Sequence, residues 1–154
     1  MELYRVTRQK YQNDLSGNGA AINGGRWNEL GYPALYAAGS RSLAILETLV
    51  HLRQPQPPTD YRAVVLYVPD TLPAVLMTER QLPDDWKQNE ICTQQTGSQW
   101  LLAKASLLLR IPSVIVRSEY NYLLNPAHEL FTEIKVIDVE PIEFDTRFFQ
   151  KLHE

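Results

Sequence analysis

The chain has 154 residues, of which 44% are hydrophobic and 21% charged, a composition that fits a folded core rather than a disordered chain. Its single cysteine excludes an internal disulfide framework and a Cys-cluster zinc site. The net charge of -3 argues against a dedicated nucleic-acid binder, whose domains are usually basic. In chain order, Leu3 to Thr7 reads as a short strand, and the glycine-rich residues 13–33 read as a long loop. Pro33 to Ala38 is a short apolar strand. Ser40 or Ser42 caps a helix that runs to about Arg53, because serine accepts a bond from the first free amides of a helix. Gln54 to Pro58 (QPQPP) is a loop. Ala63 to Val68 and Ala74 to Met77 are β-branched or apolar runs, hence strands. A helix is predicted over Gly97 to Arg110, stopped before Pro112, and a strand over Val114 to Val116. Leu130 to Phe144 reads as two short strands broken near Pro141. Asp145 then caps a last helix whose Phe148, Phe149 and Leu152 face inward. Helices and strands do not alternate steadily, so an α+β fold in one domain over residues 1–154 is expected.

The N-terminal MELYRVTRQKYQ lacks the apolar core of a signal peptide. No stretch approaches the roughly 18 apolar residues of a membrane span. A cytoplasmic location without membrane contact is therefore expected. Arginine outnumbers lysine 10 to 5. Its planar fork suits phosphate and carboxylate, so anionic ligands are worth seeking. Residues 1–62 carry more basic than acidic side chains and residues 119–154 the reverse, which places an anion more easily in the first third.

Four groups stand out as candidate sites. The loop GNGAAINGGR at 17–26 has neither the Lys-Ser/Thr of a phosphate loop nor a third dinucleotide-fingerprint glycine. It ends, however, in Gly24-Gly25-Arg26-Trp27-Asn28. That run offers a close backbone, a cationic fork and a flat apolar face to a phosphate-bearing aromatic ligand. The plain alternative is a packed Trp and a solvated Arg. Glu47 is the one carboxylate in SLAILETLVHL at 42–52, with Leu43 and Val50 flanking it on one helical face. A carboxylate on such a face is functional, paired with an Arg, or at an edge reaching water. Tyr36, with Tyr32 and Ser40 nearby, is either a ring that stacks on a ligand or a core tyrosine. Ser113 and Asn125 lie in IPS and NYLLNP, where they bind a ligand or hold turns. Ser118 is a second serine in that region.

His51 follows Glu47 by one helical turn, but two ligands do not make a metal site, and it reads as structural. His128 and His153 are isolated. No GxSxG turn marks a serine hydrolase. Cys92 has no adjacent Lys, Arg or His, and Trp86, Lys87 and Trp100 lack the basic stripe of a nucleic-acid surface.

In sequence, GGRWN at 24–28, GYPALYAAGS at 31–40 and LAILETLVH at 43–51 resemble the core of the RES domain. IPSVIV at 111–116 and NYLLNPAH at 121–128 resemble its C-terminal half. The likeness covers roughly residues 3–137. The family is named for an Arg, a Glu and a Ser, which fall here on Arg26, Glu47 and Ser113. Tyr4-Arg5 resembles the family's opening pair, whose Arg faces the site. Glu129 stands after His128 where the family often has proline. The resemblance implies a fold similar to that of ADP-ribosyltransferases, with a mixed, split β-sheet and flanking helices. It implies a bacterial toxin of a type II toxin–antitoxin pair that breaks the nicotinamide–ribose bond of NAD+ by hydrolysis or phosphorolysis. Some relatives instead transfer ADP-ribose to a protein. The implied partner is an antitoxin with a helix-turn-helix domain, together with toxin homodimers and no direct nucleic-acid contact. NAD+ is then substrate, with no prosthetic group and no metal.

That chemistry suits a chain poor in histidine. Nicotinamide in NAD+ is already cationic and leaves neutral, so one carboxylate suffices where a glycosidase normally uses two. In this reading Glu47 stabilises the oxocarbenium-like ribose, and Tyr36 stacks on or shapes the nicotinamide pocket. Arg26 and Arg5 grip the pyrophosphate, and Ser113 and Asn125 orient the ribose or pocket wall. Trp27, Asn28 and Ser40 complete the expected binding surface.

Overall fold

The structure is a computed structural model that describes residues 1–150. Seven strands form one sheet, in the order β4-β5-β6-β2-β1-β3-β7. They are β1 (Glu2–Arg8), β2 (Leu35–Ala38), β3 (Tyr61–Tyr67), β4 (Ala74–Leu76), β5 (Leu108–Pro112), β6 (Tyr120–Leu124) and β7 (Lys135–Pro141). Only β4 and β5 run parallel. Among the described residues three α-helices accompany the sheet: α1 (Asn18–Asn23), α2 (Arg41–Leu49) and α3 (Glu90–Ala103). The α+β class expected from the sequence is what the structure shows, and the sheet is mixed and split.

The split has a simple origin. β1 pairs with β3 along its whole length, from Glu2–Tyr67 to Arg8–Tyr61. It pairs with the four-residue β2 only at Tyr4–Ala38. Beyond that point β1 and β2 part, and the space between them becomes a cleft. The sheet is covered on both faces, and the alternation of strand side chains divides the core accordingly. Leu108 and Leu124 join Leu3, Leu35, Val64 and Leu66 in one cluster. Their neighbours Leu109 and Leu123 join Trp27, Trp86, Leu101 and Ile111 in another. Each such leucine, when fully buried, contributes about 1.5–3 kcal/mol.

Several elements fall where the pattern placed them. Ser40 caps α2 by accepting the Leu43 N–H at 3.1 Å, although the helix ends at Leu49, short of Arg53. Within the expected loop at 13–33 lies α1, bracketed by Gly17 and Gly24 at φ 72° and 69°. Positive φ at both ends suits glycine and confines the helix to six residues.

Other readings are corrected. The helix expected over Gly97–Arg110 lies over Glu90–Ala103 instead, capped by the Asn89 side chain. Lys104 takes a left-handed φ of 51° and stops it. The apolar run that follows is β5, bonded on both sides by β4 and β6. Val114 to Val116 is a bend rather than a strand. The Ser113 hydroxyl accepts the N–H groups of Ile115 and Val116 and turns the chain back into β6. That strand was not anticipated, because NYLLNP reads as turn chemistry. Leu130 to Phe144 holds a 3₁₀ turn at Glu129–Glu133 and one strand, β7, rather than two strands. Asp145 caps only a 3₁₀ turn, Thr146–Phe148. Phe148 is 63% exposed rather than inward, while Phe149 packs edge-on against Phe144. Leu152 and His153 lie outside the described residues.

Candidate active site

A cleft of about 1030 Å³ opens where β1 and β2 part. Its walls come from β1, the glycine loop, β2, α2 and the ends of β5 and β6. Glu47 stands on the α2 wall, half-buried. Val50, expected to flank it in the core, is 55% exposed and forms part of the cleft instead. Two side chains hold the carboxylate. The Ser113 hydroxyl donates to Oε1 at 2.9 Å, and the Asn121 Nδ2 donates to the same oxygen at 2.5 Å. Among the described residues Oε2 has no hydrogen-bond partner and no Arg or Lys pairs with Glu47. The structural ion pair weighed from sequence is thus not what holds it.

Both donors are set by the fold. Ser113 closes β5 and is 1% exposed. Asn121 sits in the middle of the sheet, opposite Ala38 on β2 and Ile111 on β5. Asn121 was not singled out from sequence. Only the placement of β6 between β2 and β5 brings it beneath Glu47. Ser118, the competing serine, lies in the turn before β6 with φ 68°. It lines a separate small groove, so Ser113 is the serine at the carboxylate.

Arg5 and Arg26 both line the cleft but are engaged differently. The Arg26 fork donates to the Lys87 and Trp86 carbonyls at 2.9 and 3.4 Å and lies 3.5 Å from Glu90. Arg5 donates to the Tyr11 carbonyl at 3.2 Å. Among the described residues no carboxylate lies within ion-pair distance of it. Burial pushes its pKa down, with Asp14 opposing that weakly. A guanidinium stays charged at neutral pH regardless. Arg5 is therefore a desolvated cation, short of anionic partners, facing a cleft.

The glycine loop is locked from within. The Tyr36 hydroxyl donates to Asn28 Oδ1 at 2.7 Å and accepts the Trp27 N–H at 3.0 Å. Asn28 Nδ2 donates to the carbonyls of Ala20, Glu29 and Tyr32. A Cβ at Gly25 would sit 2.6 Å from the Tyr36 hydroxyl, so only glycine fits. A Cβ at Gly97 would sit 1.8 Å from the Trp27 carbonyl oxygen, which lets α3 press against the loop. Burial raises the Tyr36 pKa strongly, so its hydroxyl stays protonated.

Of the residues expected at the site, Arg5, Arg26, Trp27, Tyr36 and Glu47 line the cleft, and Ser113 touches Glu47. Trp27 is only 2% exposed and packs on Trp86 with ring centroids 6.2 Å apart. Three are corrected. Asn28 is fully buried, with its side chain bound within the fold. Ser40 is the α2 cap and faces the small groove. Asn125 is buried, donating to the Leu101 carbonyl at 2.8 Å and accepting the Ala127 N–H. His51, read as structural, is exposed on the cleft wall. Among the described residues no three His, Cys, Asp or Glu side chains gather as a metal site. Among them, too, no helix is long and apolar enough to cross a membrane.

The family described as the RES domain matches residues 2–146. The chain belongs to the RES family. Curated RES relatives match nearly end to end. One, from Sphingobium sp. (strain YBL2), is named Prs ADP-ribosylating toxin. It is 43% identical over 142 residues, covering 90% of this chain and 88% of its own. Another, from Photorhabdus laumondii, is named Toxin Res and is 39% identical, covering 90% of this chain and 92% of its own. A Toxin Res from Pseudomonas putida is 39% identical over 154 residues, covering 97% of this chain and all of its own. Among solved structures, a chain of the M. tuberculosis MbcT–MbcA toxin–antitoxin complex superposes with a TM-score of 0.72. The alignment covers 92% of this RES chain and 83% of that one, at 20% identity. At that identity the likeness is one of fold.

Proposed function

We propose that this RES protein is an NAD+-consuming toxin that cleaves the bond between nicotinamide and ribose, acting as a single RES domain over residues 1–154. The observation that carries the reading is Glu47, held at one oxygen by Ser113 and Asn121 and open at the other, in a cleft that also holds Arg5 and Arg26. A fixed carboxylate aimed where positive charge develops stabilises a transition state more than a ground state. In the step proposed, the C1′–N bond breaks and its electron pair passes to the ring nitrogen, which leaves as neutral nicotinamide. Positive charge grows on the ribose ring, and Glu47 Oε2 meets it. An oxygen of water or inorganic phosphate then bonds to C1′, losing its proton where the nucleophile was neutral. Arg5 is the better placed of the two arginines for the pyrophosphate, since the Arg26 fork is turned to backbone carbonyls. The ring of Tyr36 supplies the nicotinamide wall.

The relative named Prs ADP-ribosylating toxin favours a second acceptor, a nucleophile on a cellular protein. The toxin names of the relatives, and the complex in which the solved neighbour occurs, support an antitoxin partner. We place that partner's helix-turn-helix domain, a toxin homodimer and a cytoplasmic setting within the same reading. The test is incubation of purified, partner-free protein with NAD+. Free nicotinamide with ADP-ribose or its phosphate is expected. Nicotinamide released only when a lysate supplies labelled protein bands moves the activity to transfer. Intact NAD+ under both conditions overturns the reading.

A further inference from the structure

We infer that Asn121 is a positioning residue of the site, which with Ser113 pins Glu47 through Oε1 and so assigns Oε2 as the oxygen that meets the substrate. The inference rests on the reading of the cleft as an NAD+ site, and it concerns how the carboxylate is aimed.

The hydrogen-bond inventory leaves little freedom. A serine hydroxyl has one proton and two acceptor sites. In Ser113 the Ile115 and Val116 N–H groups occupy both acceptor sites, at 3.1 and 3.0 Å. Its proton therefore has one destination, Glu47 Oε1 at 2.9 Å. The serine itself cannot drift, because its own N–H donates to the Glu119 carbonyl at 2.9 Å across the turn. One donor alone would still let the carboxylate pivot about that single bond. Asn121 removes the pivot. Its Nδ2 reaches the same oxygen from β6, a strand paired on both sides. Two donors, one just past the end of β5 and one in β6, fix the carboxylate plane, and among the described residues Oε2 is left without a partner. Their concentration on Oε1 leaves a reactive oxygen pre-aligned in the cleft, and such alignment is where a small displacement costs rate.

The test separates aiming from packing. Asn121→Leu keeps the side chain's bulk and removes the donor, while Asn121→Ala removes both. If Asn121 aims Glu47, both variants lose kcat for nicotinamide release by about 10- to 100-fold, with KM changed by no more than about threefold. If it only fills space, Asn121→Leu keeps the wild-type kcat, and that result overturns the inference. A second measurement needs no turnover. The Asn121 side-chain amide protons, followed by NMR in the wild type and in Glu47→Ala, shift upfield when the carboxylate is lost. Unmoved resonances overturn the contact. Should the wild type leave NAD+ intact, the NAD+ reading falls and the amide resonances still decide whether Asn121 holds Glu47.

Discussion

Two polar clusters border the cleft, and they use their hydrogen bonds in opposite ways. Around the glycine loop, Tyr36 and Asn28 bind each other and four backbone groups, so both polar tips are turned into the fold. Around α2, Ser113 and Asn121 both bind one oxygen of Glu47 and leave the other open. The first cluster is closed and gives the cleft its shape. The second is left incomplete, and its vacancy faces a cavity. A half-buried carboxylate held at one oxygen, with the other without a partner among the described residues and beside a cleft, is where a ligand can complete it. The same contrast divides the arginines. Arg26 is engaged by the loop that carries Trp86 and Lys87, whereas among the described residues Arg5 has no carboxylate within ion-pair distance.

The contrast predicts that the open cluster governs rate and the closed cluster governs stability. Glu47→Gln should break it most. Its kcat for nicotinamide release is expected to fall at least about 100- to 1000-fold, with the melting temperature near that of the wild type. A Gln variant retaining wild-type activity would remove Glu47 from the chemistry. The mirror experiment is Asn28→Ala. The Ala20 and Glu29 carbonyls keep the Gly24 and Tyr32 N–H groups, so the Tyr32 carbonyl and the Tyr36 hydroxyl proton are the groups that lose their partner, at a cost when buried of about 1–3 kcal/mol each. Chemical denaturation should register a loss of about 3 kcal/mol or more. Stability equal to the wild type would show that water or repacking closes the gap.

The sequence made the two clusters look alike, since both present an aromatic or an acid beside small polar residues. What was legible were features with a local cause. The serine cap at the start of α2, which falls on Ser40 of the two serines expected, and the β-branched run of β3 read correctly because neighbours along the chain determine them. What was missed depends on pairing between distant segments. LLLRIP continues a helical pattern as well as it forms a strand, and only β4 and β6 on either side make it β5. Asn121 belongs to a segment that reads as a turn, and its role exists only once β6 lies between β2 and β5. Asn28 and Asn125 failed as ligand contacts for the converse reason. An asparagine that holds three carbonyls and one that binds a solvent-facing ligand are identical in sequence. Glu47 was singled out by its helical face and Ser113 by its place beside Pro112, and the family resemblance named both, while their mutual contact needed the fold.

Within the cleft the arginines sharpen the comparison further. Arg5→Ala removes a desolvated cation without breaking an ion pair seen among the described residues. Its expected effect is a rise in KM for NAD+ of about 10- to 100-fold, the worth of a charge-assisted hydrogen bond, with kcat changed much less. Arg5→Lys should recover only part of this, since an ammonium lacks the planar fork. An equal rise in Arg26→Ala with none in Arg5→Ala would reverse the assignment.

The smallest expected effect is the most pointed, because Tyr36 serves the closed cluster and the cleft wall at once. Its ring lines the cleft and its hydroxyl closes the loop. Tyr36→Phe keeps the ring and deletes the hydroxyl. The Trp27 N–H and Asn28 Oδ1 then lose a partner, and a stability loss of about 1–2 kcal/mol is expected by denaturation. If the ring alone serves the substrate, kcat and KM for NAD+ stay within about threefold of the wild type, little more than half a kcal/mol. A large fall in kcat with unchanged stability would give the hydroxyl a direct part in the reaction. The strongly raised pKa of Tyr36 argues against that part as a base, since a phenol kept protonated by burial cannot take up a proton at neutral pH. The hydroxyl also already donates its one proton to Asn28, so serving the substrate as a donor would require opening the loop that shapes the cleft.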